Sequence, residues 1–157
     1  FCYRRFTIYD EDGQEIIHML ATFVLMDRES RKVHPVVPEI VAPYQSEFSK
    51  KLVRGPKYRE LEEAISKDYH VRFYDLDMNG HVNNSKYLDW IFEVMGADFL
   101  TNHIPKKINL KYVKEVRPGG MITSSYELNG LESNHQVTSD GDINAQAMIT
   151  WQEINKD

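Results

Sequence analysis

The stretch YDLDMNGHVNNSKYLDW, residues 74–90, places acidic groups, amides and a histidine directly before an apolar helical pattern. A turn needs about one Asn or Asp and a helix cap needs one more, so the remaining polar groups exceed what folding requires. Asp77, Asn79 and His81 are separated by one residue each. In extended backbone this spacing points all three side chains to the same side, where a carboxylate, an amide and an imidazole could act on one substrate.

The helix that follows this stretch could complete a reactive site. Asn83 or Asn84 can cap its first turn. A helix N-terminus carries roughly half a positive charge, and its free N–H groups can bind an oxyanion. A general base, an amide and an oxyanion site within one loop would suit the addition of water to a carbonyl carbon. Taken singly, the same residues have a local explanation, since Asp77 and Asn79 can shape a turn while His81 fills a gap and the asparagines cap the helix.

Other motifs for catalysis or metal binding are absent from the sequence. The six histidines show no His-x-x-x-His spacing and there is no cysteine pair, so we predict no metal site. No Gly-x-Ser-x-Gly, Gly-x-Gly-x-x-Gly or phosphate-binding loop occurs, and we predict no cofactor. The one cysteine, Cys2, has no activating base beside it in the sequence and is assigned to packing.

Composition limits the expected partners and location. The formal net charge of -5 argues against a general nucleic-acid or anionic-membrane surface, because a polyanion is recruited by positive charge. A single cysteine permits no intrachain disulfide, which favours a reducing compartment. No apolar run approaches the roughly 18–20 residues that cross a bilayer, and the first residues lack the order of a signal peptide. We expect a soluble, cytoplasmic protein.

The surrounding elements divide the chain into three parts. Residues 1–33 are predicted to form a β-hairpin with an Asp-Gly turn, and two strands are too few for a domain. Residues 34–67, rich in proline and charge, are predicted to be a linker with at most short helical pieces, such as 58–66. Residues 68–157 are more regular and are predicted to form a domain.

Within residues 68–157, the polar stretch stands between a strand over DYHVRFYD and a helix. The helix carries an apolar stripe at i, i+3, i+4 and i+7 spacings: Tyr87, Leu88, Ile91, Phe92, Met95 and Phe99. Further strands are predicted over KINLKYVKEV, MITSSYELNGLE, NHQVTS and INAQAMITWQE. One face of the last strand carries Ile143, Ala145, Ala147, Ile149 and Trp151. One helix held against antiparallel strands predicts an α+β fold.

The polar stretch and its helix resemble the signature of acyl-acyl carrier protein (acyl-ACP) thioesterases. That pattern runs Asp-Leu-Asp-x-Asn-x-His-Val-Asn-Asn-x-x-Tyr and continues into a helix with Trp and Glu. The matching residues here are Asp75, Leu76, Asp77, Asn79, His81, Val82, Asn83, Asn84, Tyr87, Trp90 and Glu93. The segments ATFVLMDRESRKV, VPEIV and INLKYVKEVRPG are also similar to the family.

This resemblance implies a hot-dog fold, in which an antiparallel sheet wraps around a central helix. The family has two such domains in one chain. By that comparison, residues 68–157 form a complete second hot-dog that carries the catalytic residues. Residues 1–33 would be the C-terminal strands of an incomplete first hot-dog, and the chain is expected to be a fragment of a longer protein.

The resemblance also implies roles for individual residues. It gives a catalytic group of Asp77, Asn79, His81 and Glu115, and substrate-binding positions at Val82, Asn83 and Asn84. Plant members often follow the glutamate with cysteine, but Val116 stands there in this chain, so that nucleophile is not available. By strand alternation Glu115 falls on the face opposite Leu110, and a bulge or a site-lining face is needed to bring it to the loop.

The implied reaction is hydrolysis of fatty acyl-ACP to free fatty acid and carrier protein. Two alternatives stay open, namely an acyl-CoA thioesterase of the same fold and a non-catalytic acyl-binding module. An acidic carrier could dock on one of two basic clusters, although either is equally explained as a solvated face. The clusters are Lys106, Lys107, Lys111, Lys114 and Arg117, and, in the linker, Lys50, Lys51, Arg54, Lys57 and Arg59. Because hot-dogs commonly pair, we expect either two paired domains in one chain or a homodimer.

Overall fold

The structure is a computed structural model that describes residues 1–30, 32–48 and 51–154. The chain divides into two compact units, Phe1–Leu52 and Val53–Asp157. Within the described residues, no helix combines the length and the apolar character that crossing a membrane requires. Lys50 of the predicted linker cluster lies outside the described residues.

The first unit is built on an antiparallel hairpin of β1 (Cys2–Tyr9) and β2 (Glu15–Phe23), which confirms the predicted hairpin. The Asp10 carboxylate shapes the connecting turn by accepting hydrogen bonds from the N–H groups of Asp12 (3.1 Å) and Gln14 (2.7 Å). Such side-chain to backbone bonds are the reason that Asp is favoured in turns.

Short elements follow the hairpin in the first unit. They are β3 (Leu25–Met26), β4 (Val33–His34), α1 (Pro38–Val41) and a 3₁₀ turn (Ala42–Tyr44). Strands β3 and β4 pair with each other. Pro38 begins α1, where its missing N–H costs no intrahelical hydrogen bond.

The second unit contains one sheet and one main helix. Its elements are β5 (Ile65–His70), a 3₁₀ turn (Phe73–Asp75), α2 (Asn84–Glu93), α3 (Ala97–Leu100), β6 (His103–Tyr112), β7 (Met121–Asn129), β8 (Glu132–Ser139) and β9 (Asp142–Glu153). The five strands are all antiparallel, in the order β5-β7-β8-β9-β6. Helix α2 packs against β7 and β8. This is the α+β, hot-dog arrangement that the sequence predicts.

The core of the second unit lies between α2 and the sheet. Ile91 of α2 is fully buried, and Ala145 and Ala147 of β9 are buried with it in one apolar cluster. Small side chains on the strand allow the helix to approach closely. The Ser124 hydroxyl of β7 donates to the carbonyl of Trp90 at 3.0 Å and ties the helix to the sheet.

The predicted helical piece at 58–66 is wrong. The N–H groups of Glu62 and Glu63 donate to the Glu127 carboxylate of β7, the second at 2.9 Å. Arg59 also pairs with that carboxylate at 2.7 Å. A helix would need the same N–H groups for carbonyls four residues earlier, so the attachment to β7 holds this segment in an irregular conformation.

Two predicted strands have different boundaries in the structure. The strand predicted over residues 68–75 runs instead over Ile65–His70, because the Arg72 N–H donates to the Asp75 carboxylate at 2.7 Å and turns the chain. The strand predicted over 121–132 ends at Asn129, because Gly130 and Leu131 form a hairpin turn before β8 begins at Glu132.

Candidate active site

The loop between the 3₁₀ turn and α2 forms a tight hairpin, which we call the His81 turn (residues 76–82). Leu76 and Val82 pair across its base. At its ends the Asp77 N–H donates to the His81 carbonyl at 2.7 Å, and the Gly80 N–H donates to the Asp77 carbonyl at 3.0 Å. The backbone is therefore tightly turned, and the predicted extended conformation is wrong.

The turn nevertheless gathers the three predicted side-chain types. The Asp77 carboxylate accepts hydrogen bonds from the N–H groups of Asn79 (2.8 Å) and His81 (3.1 Å). The pKa of Asp77 lies below its usual value, first because of the His81 N–H and also because of the Asn79 N–H, the Asn79 side chain and the charge of His81, against partial desolvation. Asp77 is therefore an ionised residue that fixes the turn, with Asn79 and His81 exposed beside it.

A second aspartate of the signature, Asp75, directly precedes the His81 turn. Asp75 is 1% exposed, and its carbonyl accepts the Asn83 N–H at 2.8 Å. Burial acts to raise the pKa of its carboxyl, but hydrogen bonds from the Arg72 N–H and guanidinium, together with the Arg72 charge, hold that pKa below its usual value. Asp75 thus joins the His81 turn to the start of α2.

The first turn of α2 uses most of its own donors. Asn83 is the N-cap, as predicted for one of the two asparagines, and its side-chain oxygen accepts the Ser85 N–H at 3.0 Å. The Lys86 N–H donates to the Asn83 carbonyl at 2.9 Å. Within the described part of the chain, no acceptor takes the N–H of Asn84. One backbone donor, rather than several, is therefore available for an oxyanion at this helix start.

The predicted substrate-binding positions differ in their surroundings. Val82 is 6% exposed and belongs to the apolar core. Asn83 uses its side-chain oxygen for the cap, whereas Asn84 has an exposed side chain. Contact of these three residues with a substrate stays a prediction.

Glu115 lies in the chain segment that follows β6, which we call the Glu115 segment (residues 113–116). Strand β6 ends at Tyr112, so alternation along the strand does not decide the direction of Glu115. The Val116 N–H donates to the Tyr87 hydroxyl at 3.2 Å, and the Tyr112 hydroxyl donates to the Asn84 carbonyl at 2.9 Å. These bonds fasten the Glu115 segment and the end of β6 to the first turn of α2.

The electrostatics of Tyr87 agree with this placement. Burial raises the pKa of the Tyr87 hydroxyl, the Val116 N–H lowers it, and the Glu115 carboxylate raises it again. The Glu115 side chain is exposed. The structure brings Asp77, Asn79 and His81 together in the turn. It attaches the Glu115 segment to α2 through the Val116 N–H, and contact between the Glu115 and His81 side chains stays a prediction.

Family comparison decides what kind of protein this arrangement belongs to. The model of the acyl-ACP thioesterase C-terminal domain matches residues 58–153, and the model of the acyl-ACP thioesterase N-terminal domain matches residues 1–44. The chain belongs to the acyl-ACP thioesterase family. Its signature residues in the His81 turn fall within the C-terminal match. The finer boundaries predicted at 33 and 67 stay predictions.

Individual acyl-ACP thioesterases are similar over most of this chain. A palmitoyl-acyl carrier protein thioesterase of Arabidopsis thaliana is 24% identical over 90% of the chain, which covers 36% of that relative. The structure of a putative oleoyl thioesterase from Lactobacillus plantarum is 33% identical with a TM-score of 0.89, covering 98% of this chain and 64% of that one. A 12:0-ACP thioesterase from Umbellularia californica shares the fold at 22% identity, with a TM-score of 0.76 over 97% of this chain and 62% of that one.

Sequence reasoning missed the polar function of two tyrosines. In the sequence, Tyr87 is part of the apolar stripe and of the family signature, and Tyr112 is part of the strand predicted over KINLKYVKEV. In the structure, both hydroxyls make bonds that join α2 to the chain around Glu115. The available signal was their chemistry, because a tyrosine hydroxyl can both donate and accept a hydrogen bond.

Proposed function

We propose that this protein hydrolyses fatty acyl-ACP to a free fatty acid and the carrier protein. The chain spans 36% of the Arabidopsis relative and 64% of the Lactobacillus structure, and family membership supports the reaction class. The observation that carries the proposal is the His81 turn, which holds a carboxylate, an amide and an imidazole at the N-terminus of α2.

The reaction adds water to the thioester carbon and then expels the thiol of the carrier. In our proposal Glu115 takes a proton from the attacking water, and Asn79 positions that water or the thioester. His81 and Asp77 hold these groups in place. The Asn84 N–H would donate to the oxyanion, because a backbone donor at a helix start is oriented before the charge develops. The proton then goes to the leaving sulfur.

The low pKa of Asp77 helps to divide the roles. A carboxylate held below its usual pKa is a weaker base, so Asp77 is better suited to orienting the turn than to removing a proton. Carboxylates in water are weak bases at neutral pH, and loss of water on substrate binding strengthens them. We therefore propose that the base acts after the acyl group has covered the exposed site.

An acidic carrier would need a positive surface near the site. Lys106, Lys107, Lys111 and Arg117 remain candidates, whereas Lys114 forms an ion pair with Asp142 that reduces its free charge. In the linker, Arg59 is paired with Glu127. We propose that the cluster around β6 contributes the docking contacts, which would be weakened by salt.

The experiment is release of free fatty acid by the whole protein from acyl-ACP substrates of several chain lengths, with the matching acyl-CoA substrates in parallel. We expect release from acyl-ACP, with kcat/KM falling as ionic strength rises. Higher kcat/KM on acyl-CoA would instead support the acyl-CoA thioesterase. Binding of either substrate without release would support the non-catalytic module.

A further inference from the structure

Strand β9 contains a bulge close to the Glu115 segment. In the β8–β9 ladder, Val137 faces Ala145 and Thr138 faces Ile143, so Asn144 is an extra residue without an opposite partner. Asn144 is 1% exposed and is buried directly beside Ala145, which breaks the alternation predicted for this strand. A bulge re-aims the extra side chain and is common next to active sites.

Asn144 contacts the Glu115 segment through both its backbone and its side chain. Its carbonyl accepts the N–H groups of Val113 at 2.8 Å and Lys114 at 3.2 Å. Its side-chain NH₂ donates to the carbonyls of Lys114 at 3.3 Å and Glu115 at 3.4 Å. One buried asparagine thus holds the residues that follow the end of β6.

The contacts fix the segment on both sides of Glu115. On one side, Asn144 binds the carbonyls of Lys114 and Glu115. On the other side, the Tyr87 hydroxyl accepts the Val116 N–H. We infer that Asn144 is a positioning residue that sets the place of the Glu115 carboxylate relative to the His81 turn. This inference rests on the proposed function, since it gives Asn144 a role in the same reaction.

The side chain and the backbone of Asn144 make separable contributions. Asn144→Ala removes the NH₂ donor but keeps the carbonyl that accepts from Val113 and Lys114. Asn144→Asp keeps the shape and replaces the donor by a carboxylate that faces two carbonyl oxygens. Because small displacements of a reacting group can cost on the order of 100-fold in rate, we expect kcat to fall roughly 10- to 100-fold for both variants, with KM little changed.

The first test measures kcat and KM of the whole protein for Asn144→Ala, Asn144→Asp and a matched control, Ser124→Ala. Ser124 is equally buried and loses one hydrogen bond, to Trp90 in α2, away from the Glu115 segment. We expect the control to keep kcat for the folded fraction. A rise in KM alone, or an equal fall of kcat in the control, would overturn the inference.

The second test asks whether Asn144 acts through Glu115. In a Glu115→Gln background the Asn144→Ala change should cost much less of the remaining rate than it does in wild type, because the group that it positions is already lost. An equal fold-loss in both backgrounds would show that Asn144 has only a structural role.

Hydrogen exchange separates failure of this inference from failure of the proposed function. In wild type the amides of Val113 and Lys114 should exchange slowly, and in Asn144→Ala exchange should quicken at the Glu115 segment but not in α2. Hydrogen exchange can be measured without enzymatic activity, and the wild-type measurement does not depend on whether a variant folds. Rapid wild-type exchange at both amides would overturn the inference even if the protein hydrolyses thioesters.

Discussion

Two histidines of this chain have opposite environments. His81 is exposed in a turn whose backbone is held by Asp77. His135 of β8 is 2% exposed, its Nε2 is 2.7 Å from the Ser133 hydroxyl, and that hydroxyl also accepts the Trp151 indole N–H at 2.7 Å. The His135 ring is therefore enclosed by the protein, whereas the His81 ring is open to solvent.

The difference shows that a cluster of reactive residue types is not by itself a reactive site. Burial lowers the pKa of His135 to about 4, so this ring is neutral at pH 7. Its Nε2 lies beside the Ser133 hydroxyl, whereas its Nδ1 is buried without a hydrogen-bond partner among the described residues. His81 instead has a fixed backbone and a ring that is free to meet a ligand. The two histidines should accordingly affect different measurements.

The largest expected effect is loss of hydrolysis on changing the His81 turn. His81→Ala should lower kcat by roughly 10²- to 10⁴-fold, because it removes a group that positions the base, while the midpoint of urea unfolding stays close to wild type. Asp77→Asn keeps an oxygen for the two N–H groups but removes the charge, and it should also lower kcat. His135→Gln is the matched comparison, in which stability falls but the folded fraction keeps its kcat. Near-normal kcat in both His81→Ala and Asp77→Asn would end the proposed role of the turn.

The next effect concerns the pH dependence of stability. The pKa of His135 is about 4 in the folded protein against an ordinary 6.5, so below pH 6.5 protons bind preferentially to the unfolded chain. The contribution of neutral His135 to the free energy of unfolding is complete above pH 6.5 and is lost as the pH falls toward 4. The loss at pH 5 is about 2 kcal/mol.

Urea unfolding at pH 7 and pH 5 measures this change. The loss of unfolding free energy should shrink in His135→Gln, which has no titrating ring. It should persist in Ser133→Ala, which removes the hydroxyl shared by His135 and Trp151 but keeps the titrating ring. An unchanged pH dependence in His135→Gln would mean that another group causes it.

Residue patterns in the sequence predicted those elements that depend on contacts between residues close together in the chain. The turn at Asp10, the Asn83 cap and the apolar stripe of α2 all follow from contacts within a few residues. The Asn129-Gly130 pair was also a strong turn signal, and taking 121–132 as one strand neglected it.

Contacts between distant residues could not be predicted in this way. The irregular conformation at 58–64 depends on Glu127, which is more than sixty residues away. The position of Asn144 depends on a register shift between β8 and β9, and no residue type near it predicts a bulge. In the candidate site, the residue types of the His81 turn were evident from sequence, whereas the hydrogen bond from Val116 of the Glu115 segment to Tyr87 required the fold.

The smallest expected effect separates capping from substrate binding at Asn83. Asn83→Ala removes the side-chain acceptor of the Ser85 N–H and should lower the free energy of unfolding by about 1 kcal/mol. Asn83→Ser restores an oxygen at the N-cap and should recover most of that stability. Urea unfolding of the three proteins measures this, and equal stability of the Ala and Ser variants would contradict the capping role. If Asn83 also contacts the substrate, the Ser variant should show a raised KM despite its restored stability, because capping and binding then depend on different atoms of the amide.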